Sequence, residues 1–191
     1  LYFSASSSKS FYQIKQWIPF LESSGHRFLI VTRERNLLAG LGRMSSCPVV
    51  WVQRLVDLDR LLGPTVKAAV YVNNGMKNGH LLRVGRLTHI QLLHGESDKA
   101  SSASKATRAY DVIAVAGQAA IDRYRDNGVA IPDEQFTIIG RPATDEIDPV
   151  DRDAPIRSVL YAPTWEGYDP TNDYSSVRSL AEPMIRWLLD N

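Results

Sequence analysis

Thr88 to Lys99 reads THIQLLHGESDK, an apolar run that ends at His94-Gly95 and turns polar at Glu96, Ser97, Asp98 and Lys99. A short apolar run closed by a glycine and a burst of charge fits a buried strand. A strand that ends in an ionisable side chain next to a glycine is how an open α/β sheet presents chemistry at its carboxyl edge.

The same grammar repeats on both sides. Upstream, KAAVYVN (67–73), PVVWV (48–52), RFLIVT (27–32) and the opening LYFSA (1–5) read as strands, and downstream DVIAVAG from Asp111 and QFTIIG ending at Gly140 do the same. Amphipathic stretches lie between them. One runs from about Ser8 to Ser23, with Phe11, Ile14, Ile18 and Leu21 on one face, Ser7 or Ser8 as N-cap, and Gly25 as terminator. Pro19 inside that pattern predicts a kink or an early break. Leu55, Leu58, Leu61 and Leu62 form a second, and a third spans about Gln118 to Asn127 and closes at Gly128. Short strands alternating with helices predict an α/β fold: a Rossmann-like, doubly wound parallel sheet with helices on both faces.

At Arg141 to Pro155 the composition becomes acidic and proline-punctuated, as interdomain linkers are. We therefore expect a first domain over about 1–145, a linker over 146–155 and the beginning of a second α/β domain over 156–191. In that second domain RSVLYA, near Arg157, is the expected strand, Pro163-Thr164-Trp165-Glu166-Gly167 its loop, and the stretch from about Ser175 its helix. The chain opens inside a strand without an initiator Met and stops after the helical pattern Ile185, Trp187, Leu188, Leu189, so a piece of a longer polypeptide is expected. Leu1-Tyr2-Phe3-Ser4 looks faintly like a protease-tag scar, but it flows into strand-to-helix grammar and reads as native.

Composition narrows the function. With 44% hydrophobic and 23% charged residues in 191, disorder of the whole chain is excluded. Twenty-two basic against twenty-one acidic residues leave a formal charge of +1, which offers no electrostatic case for nucleic-acid binding. Any anion site must be local. The single cysteine, Cys47, can form no internal disulfide and lacks the partners of a zinc site, which fits a reducing, cytoplasmic setting. No apolar run approaches the roughly 18 residues of a membrane span, and no signal segment opens the chain. Peripheral membrane contact stays compatible with this.

Several residue groups could carry chemistry. An imidazole is the side chain suited to proton transfer near neutrality, and that of His94, in a cleft, could take a proton from an attacking hydroxyl, with Gly95 admitting a substrate and Ser97, Asp98 and Lys99 orienting the ring or holding an anion. A hydrogen-bonded histidine at a turn is the alternative. Ser6, Ser7, Ser8 and Lys9 at a helix start could hold a phosphate or simply cap the helix, and they lack the glycine framework of a nucleotide fingerprint. Asn73, Asn74, Lys77, Asn78 and His80 crowd the glycine-rich loop after the fourth strand, where a ligand site and a solvated loop look alike. His26 and His89 read as packing residues. No carboxylate cluster has metal-ligand spacing, and no cofactor is evident.

Four segments in order, THIQLLHGESDK, YDVIAVAGQAAIDRY, TIIGRPATDEI and LYAPTWEG, resemble the CDP-glycerol glycerophosphotransferase family, the teichoic-acid polymerases and their relatives; the likeness covers most of residues 67–167. The resemblance implies a GT-B architecture, two Rossmann-like domains facing each other across a cleft. It implies transfer of glycerol phosphate, or a related polyol phosphate, from the donor CDP-glycerol to a lipid-linked or polymeric polyol-phosphate acceptor, on the cytoplasmic side of the envelope and peripherally at the inner face of the membrane. It gives His94 the role of base and Pro163, Thr164 and Trp165 the opening loop of the nucleotide-holding domain. Gly95, Ser97, Asp98, Lys99, Ser7, Ser8, Lys9, Asn74 and Lys77 complete the expected substrate-binding set. Where basic residues often follow the His-Gly motif, this chain has Glu96, Ser97 and Asp98 before Lys99. With most of the second domain missing, the segment alone is expected to be inactive. A sugar-nucleotide transferase of the same architecture and a noncatalytic Rossmann-like binding module are the competing expectations.

Overall fold

The computed structural model describes residues 1–95, 97, 100–145, 147–149, 153, 155, 158–164 and 173–190. Seven strands form one all-parallel sheet: β1 (Tyr2–Phe3), β2 (Ile30–Thr32), β3 (Val49–Trp51), β4 (Ala68–Tyr71), β5 (Thr88–Gln91), β6 (Val112–Val115) and β7 (Phe136–Ile138). Their order is β3-β2-β1-β4-β5-β6-β7, so the chain winds outward from β1, then returns to start again beside it. That is the doubly wound Rossmann-like arrangement. The strands are shorter than the apolar runs that encode them, because the ladder ends where the chain lifts away into the loops of the carboxyl edge.

Period-two alternation sorts side chains onto the two faces. Tyr2, Val31, Val52, Tyr71, Ile113 and Val115 face one way, and pack against Leu58 and Leu62 of α4 (Leu55–Leu61) and its C-cap, Leu81 of α5 (Gly79–Leu82), and Ala120 and Ile121 of α6 (Gln118–Asp126). Phe3, Ile30 and Val72 face the other way, against Ile14 of α1 (Phe11–Lys15), Ile18 of α2 (Ile18–Ser23), and Leu41 of α3 (Leu38–Met44). The opening residues thus lie in the middle of the sheet. Tyr2 pairs with Val31 on one side and Tyr71 on the other, and the Leu1 nitrogen donates to the Leu29 carbonyl at 2.8 Å.

The first helix, expected to kink or break early at Pro19, divides just before it at Gln16-Trp17, and Pro19 sits in the first turn of α2, where its missing N–H is harmless. The helix α3 and the 3-10 turns at Ala100–Ala103 and Lys105–Ala109 have no counterpart in the sequence reading. Glycines at 40 and 42 dilute the α3 pattern.

By contacts the chain divides into Leu1–Glu146 and Ile147–Asn191. The strand expected from RSVLYA does not form among the described residues 158–162. A strand needs a ladder partner, and that segment has none among the described residues; Leu160 is 88% exposed. The following helix begins with a π turn at Val177–Ala181 and continues as α7 (Glu182–Asp190), two residues later than the sequence reading places it.

Three tyrosines stack within the first unit. Tyr71 lies edge-on to Tyr2 at 5.8 Å and to Tyr110 at 5.0 Å between ring centroids. Burial raises all three phenols above their ordinary value of 10.0, and for Tyr71 the neighbouring Tyr110, Tyr2 and Asp111 add to the rise. The unfolded chain therefore releases these protons first, and stability that is fully present below pH 10.0 falls as pH climbs beyond it. A spectrophotometric titration should find these three ionising only together with the loss of near-ultraviolet circular dichroism. Smooth titration of all tyrosines in a folded protein would contradict it.

Candidate active site

In an open parallel sheet the crevice lies at the carboxyl ends of the strands where the winding reverses, here between β1 and β4. The loop after β4 is fixed there by amides. Asn73 Oδ1 accepts from Ser4 Oγ at 3.0 Å and from the Gly75 N–H at 3.1 Å, while its Nδ2 donates to Gln13 Oε1 at 2.9 Å. A Cβ at residue 75 would stand 2.5 Å from Ser4 Oγ, so any larger residue would push that hydroxyl off its bond to Asn73. Asn78, 2% exposed, donates to the Asn73 carbonyl at 2.6 Å and to the Tyr110 hydroxyl at 2.8 Å.

Gln91, the last residue of β5, is fully buried and ties this loop to the next. Its Nε2 donates to the Asn73 carbonyl and to Asn74 Oδ1, both at 2.9 Å, and its Oε1 accepts the Leu93 N–H at 3.1 Å. Leu93 then adopts φ 58°, the left-handed region, which costs a leucine about 1–2 kcal/mol. Two side chains from the break between α1 and α2 hold it there. Trp17 Nε1 donates to the Leu93 carbonyl at 2.7 Å, and Gln16 Nε2 to the His94 carbonyl at 2.9 Å.

His94 is half-buried, with its ring edge-on to Tyr12 at 5.7 Å. Its Nδ1 lies 2.7 Å from the Val72 carbonyl. A carbonyl can only accept, so in the neutral ring Nδ1 carries the hydrogen and Nε2 keeps the lone pair. Among the described residues none is hydrogen-bonded to Nε2. An imidazole with its proton fixed on one nitrogen and the other nitrogen unclaimed has the form of a general base. His89 is the contrast: 4% exposed, its Nε2 donates to the Val84 carbonyl at 3.2 Å and its Nδ1 accepts from the Tyr71 hydroxyl at 2.8 Å, which leaves neither nitrogen for chemistry.

A pocket of about 80 Å³ opens beside His94. Gln16, Trp17, Leu92 and Gly95 form one side; Ala114 to Ala116 and Ile139 to Ala143 form the other, with Arg141 the one Lys or Arg among the described lining residues. Gly140, at φ 76°, turns the chain after β7 so that Arg141 and Pro142 come over this edge. None of the described ion pairs involves Arg141. A larger hollow, about 440 Å³, lies at the start of β4, but its cations are spent on carbonyls: Arg86 on Leu62, Gly63 and Val66, Lys67 on Pro64.

The structure brings His94 and Gly95 together on the pocket, whereas Ser7, Ser8, Lys9, Asn74, Lys77 and Ser97 do not line it. Ser7 caps a three-residue 3-10 turn, its Oγ accepting from the Lys9 N–H at 3.2 Å, and Ser8 and Lys9 are exposed. With only five residues in the α-helix that follows, too few peptide dipoles align for a strong anion site. Asn74 is turned inward, to Gln91 and Thr107, and Lys77 pairs with Glu34. His80 is held below the ordinary histidine range by burial and then by the charges of Arg33, Lys77 and Arg83. Ser97 is exposed and bonded to Ser102 at 2.9 Å. Pro163 and Thr164 belong to the second unit; Asp98, Lys99 and Trp165 lie outside the described residues.

Four contributors to the site have no place in the sequence reading: Gln16, Trp17, Gln91 and Arg141. Gln91 carried a signal, since an amide inside an apolar run must find partners once buried. Among the described residues no group of three or more His, Cys, Asp or Glu could hold a metal ion, and no helix is long and apolar enough to cross a membrane. No family model, no curated protein and no solved structure matches this chain.

Proposed function

We propose that this chain is the acceptor-side domain of a transferase that moves glycerol phosphate, or a related polyol phosphate, from a CDP-activated donor to a hydroxyl of a cell-envelope polymer. The observation that carries the reading is the 2.7 Å bond from His94 Nδ1 to the Val72 carbonyl, which reserves Nε2 for a proton. The acceptor O–H gives its proton to Nε2 as its oxygen bonds to the donor's β-phosphorus; the bond from that phosphorus to the bridging oxygen breaks, and CMP leaves with the electron pair. Arg141 meets a phosphate of the polymer end. The resemblance of four ordered segments supports the donor class, and pocket size supports the division of labour. About 80 Å³ admits a polyol or one phosphate, far below the roughly 300–1,000 Å³ of a pocket that engulfs a nucleotide-sized ligand. The nucleotide belongs to the second domain, in a protein working at the inner face of the membrane.

The test is donor consumption by the full-length protein with a polyol-phosphate acceptor, offering CDP-glycerol and UDP-sugars in parallel. CMP release is expected, with Arg141→Gln raising the acceptor KM by about 10-fold, the effect of one charge-assisted hydrogen bond, and changing kcat little. UDP release instead would make the protein a sugar-nucleotide transferase. Turnover of neither, with acceptor still bound, would make it a binding module.

A further inference from the structure

We infer that Gln16 and Trp17 are positioning residues that set the tautomer of His94, acting through the backbone of Leu93; the inference rests on the reading of His94 as a base, but its test does not. The two side chains project from the point where the first helix breaks, and they clasp consecutive carbonyls, Trp17 that of Leu93 at 2.7 Å and Gln16 that of His94 at 2.9 Å. The first of the two clasped peptides directly follows a leucine at φ 58°. Left to itself that residue returns to a negative φ, because its Cβ crowds the following carbonyl in the left-handed region. Such a return rotates the peptide that carries His94 and draws Nδ1 away from the Val72 carbonyl. An unclasped imidazole then exchanges its proton between both nitrogens, and Nε2 is no longer reserved as an acceptor.

The helix break has a use on this view. An unbroken helix through residues 16–17 would carry the two donors past the loop; ending α1 at Lys15 and restarting at Ile18, with Pro19 in the first turn, leaves Gln16 and Trp17 free to turn toward β5. Trp17 keeps its ring in the core, 7% exposed, so its indole N–H is delivered by a rigid body.

Nitrogen-15 NMR of the imidazoles in the full chain reads the tautomers directly. His94 should give the Nδ1–H signature and His89 the Nε2–H signature, so the buried His89 reports folding in the same spectrum; His94→Gln assigns the first. The variant Gln16→Leu/Trp17→Phe should lose the Nδ1–H signature at His94 and keep that of His89. Adding Leu93→Gly should restore it, because glycine occupies the left-handed region without strain and needs no clasp. An unchanged His94 in the double variant overturns the inference, as does failure of Leu93→Gly to restore the signature. Should the double variant also lose His89, Gln16→Leu alone, from a half-buried position outside the core, is read the same way. Transfer activity enters none of these outcomes, so loss of the base reading and loss of the positioning role remain separate results.

Discussion

His94→Gln in the full-length protein should lower transfer by about 10²–10⁴-fold, the usual weight of a general base. Glutamine is the informative replacement. Its amide can still donate to the Val72 carbonyl, which now receives His94 Nδ1 at 2.7 Å. It also keeps a polar surface on the pocket. What it cannot do is accept a proton from a hydroxyl at neutral pH. Circular dichroism should be unchanged and acceptor binding weakened little, so the loss should sit in kcat. Transfer within threefold of the parent protein would remove His94 from the chemistry and leave it a turn histidine.

Gln91→Leu should destabilise the first unit by about 2–4 kcal/mol, a large part of the roughly 5–15 kcal/mol that holds a domain folded. Leucine fills much of the same space, so the effect measures polar satisfaction more than packing. The Leu93 N–H and Asn74 Oδ1 each lose the Gln91 partner, whereas the Asn73 carbonyl retains Asn78 at 2.6 Å. Urea unfolding should show a lower midpoint at an unchanged m-value. A midpoint within error of the parent would mean that water replaces the amide freely, and the crevice would then be much wetter than its burial implies.

These two residues mark how far the sequence could be read. The apolar runs encode the sheet because buried parallel strands need little else, and His94 stood out because it ends one of them beside a glycine. Gln91 sits in the same run, yet the groups that satisfy it lie on the loop at 73–74, and no local pattern announces that pairing. Trp17 and Gln16 lie within the stretch expected to be one helix, and no local pattern shows that the helix breaks around them. Arg141 falls where composition changes toward an acidic, proline-rich stretch, so its return over the sheet edge depends on Gly140 at φ 76° and not on any periodicity. The expected second-domain strand failed for the complementary reason: alternation sets a strand's faces, but only a neighbouring strand makes it one.

The central place of β1 has a consequence for how the protein comes into being. Tyr2 and Phe3 are made before the other described strands, meet β2 early, and must then hold an open edge until Tyr71 arrives to pair with Tyr2. Pairings of such long sequence separation are slow, because the chain between them must be gathered before the contact repays it. The amides around Asn73 and the ring of His94 take their places only after β4 and β5 have joined that edge, and the pocket beside His94 is complete only when β6 and β7 have followed them. A nascent chain stalled before that step would carry a bare hydrophobic edge and no site.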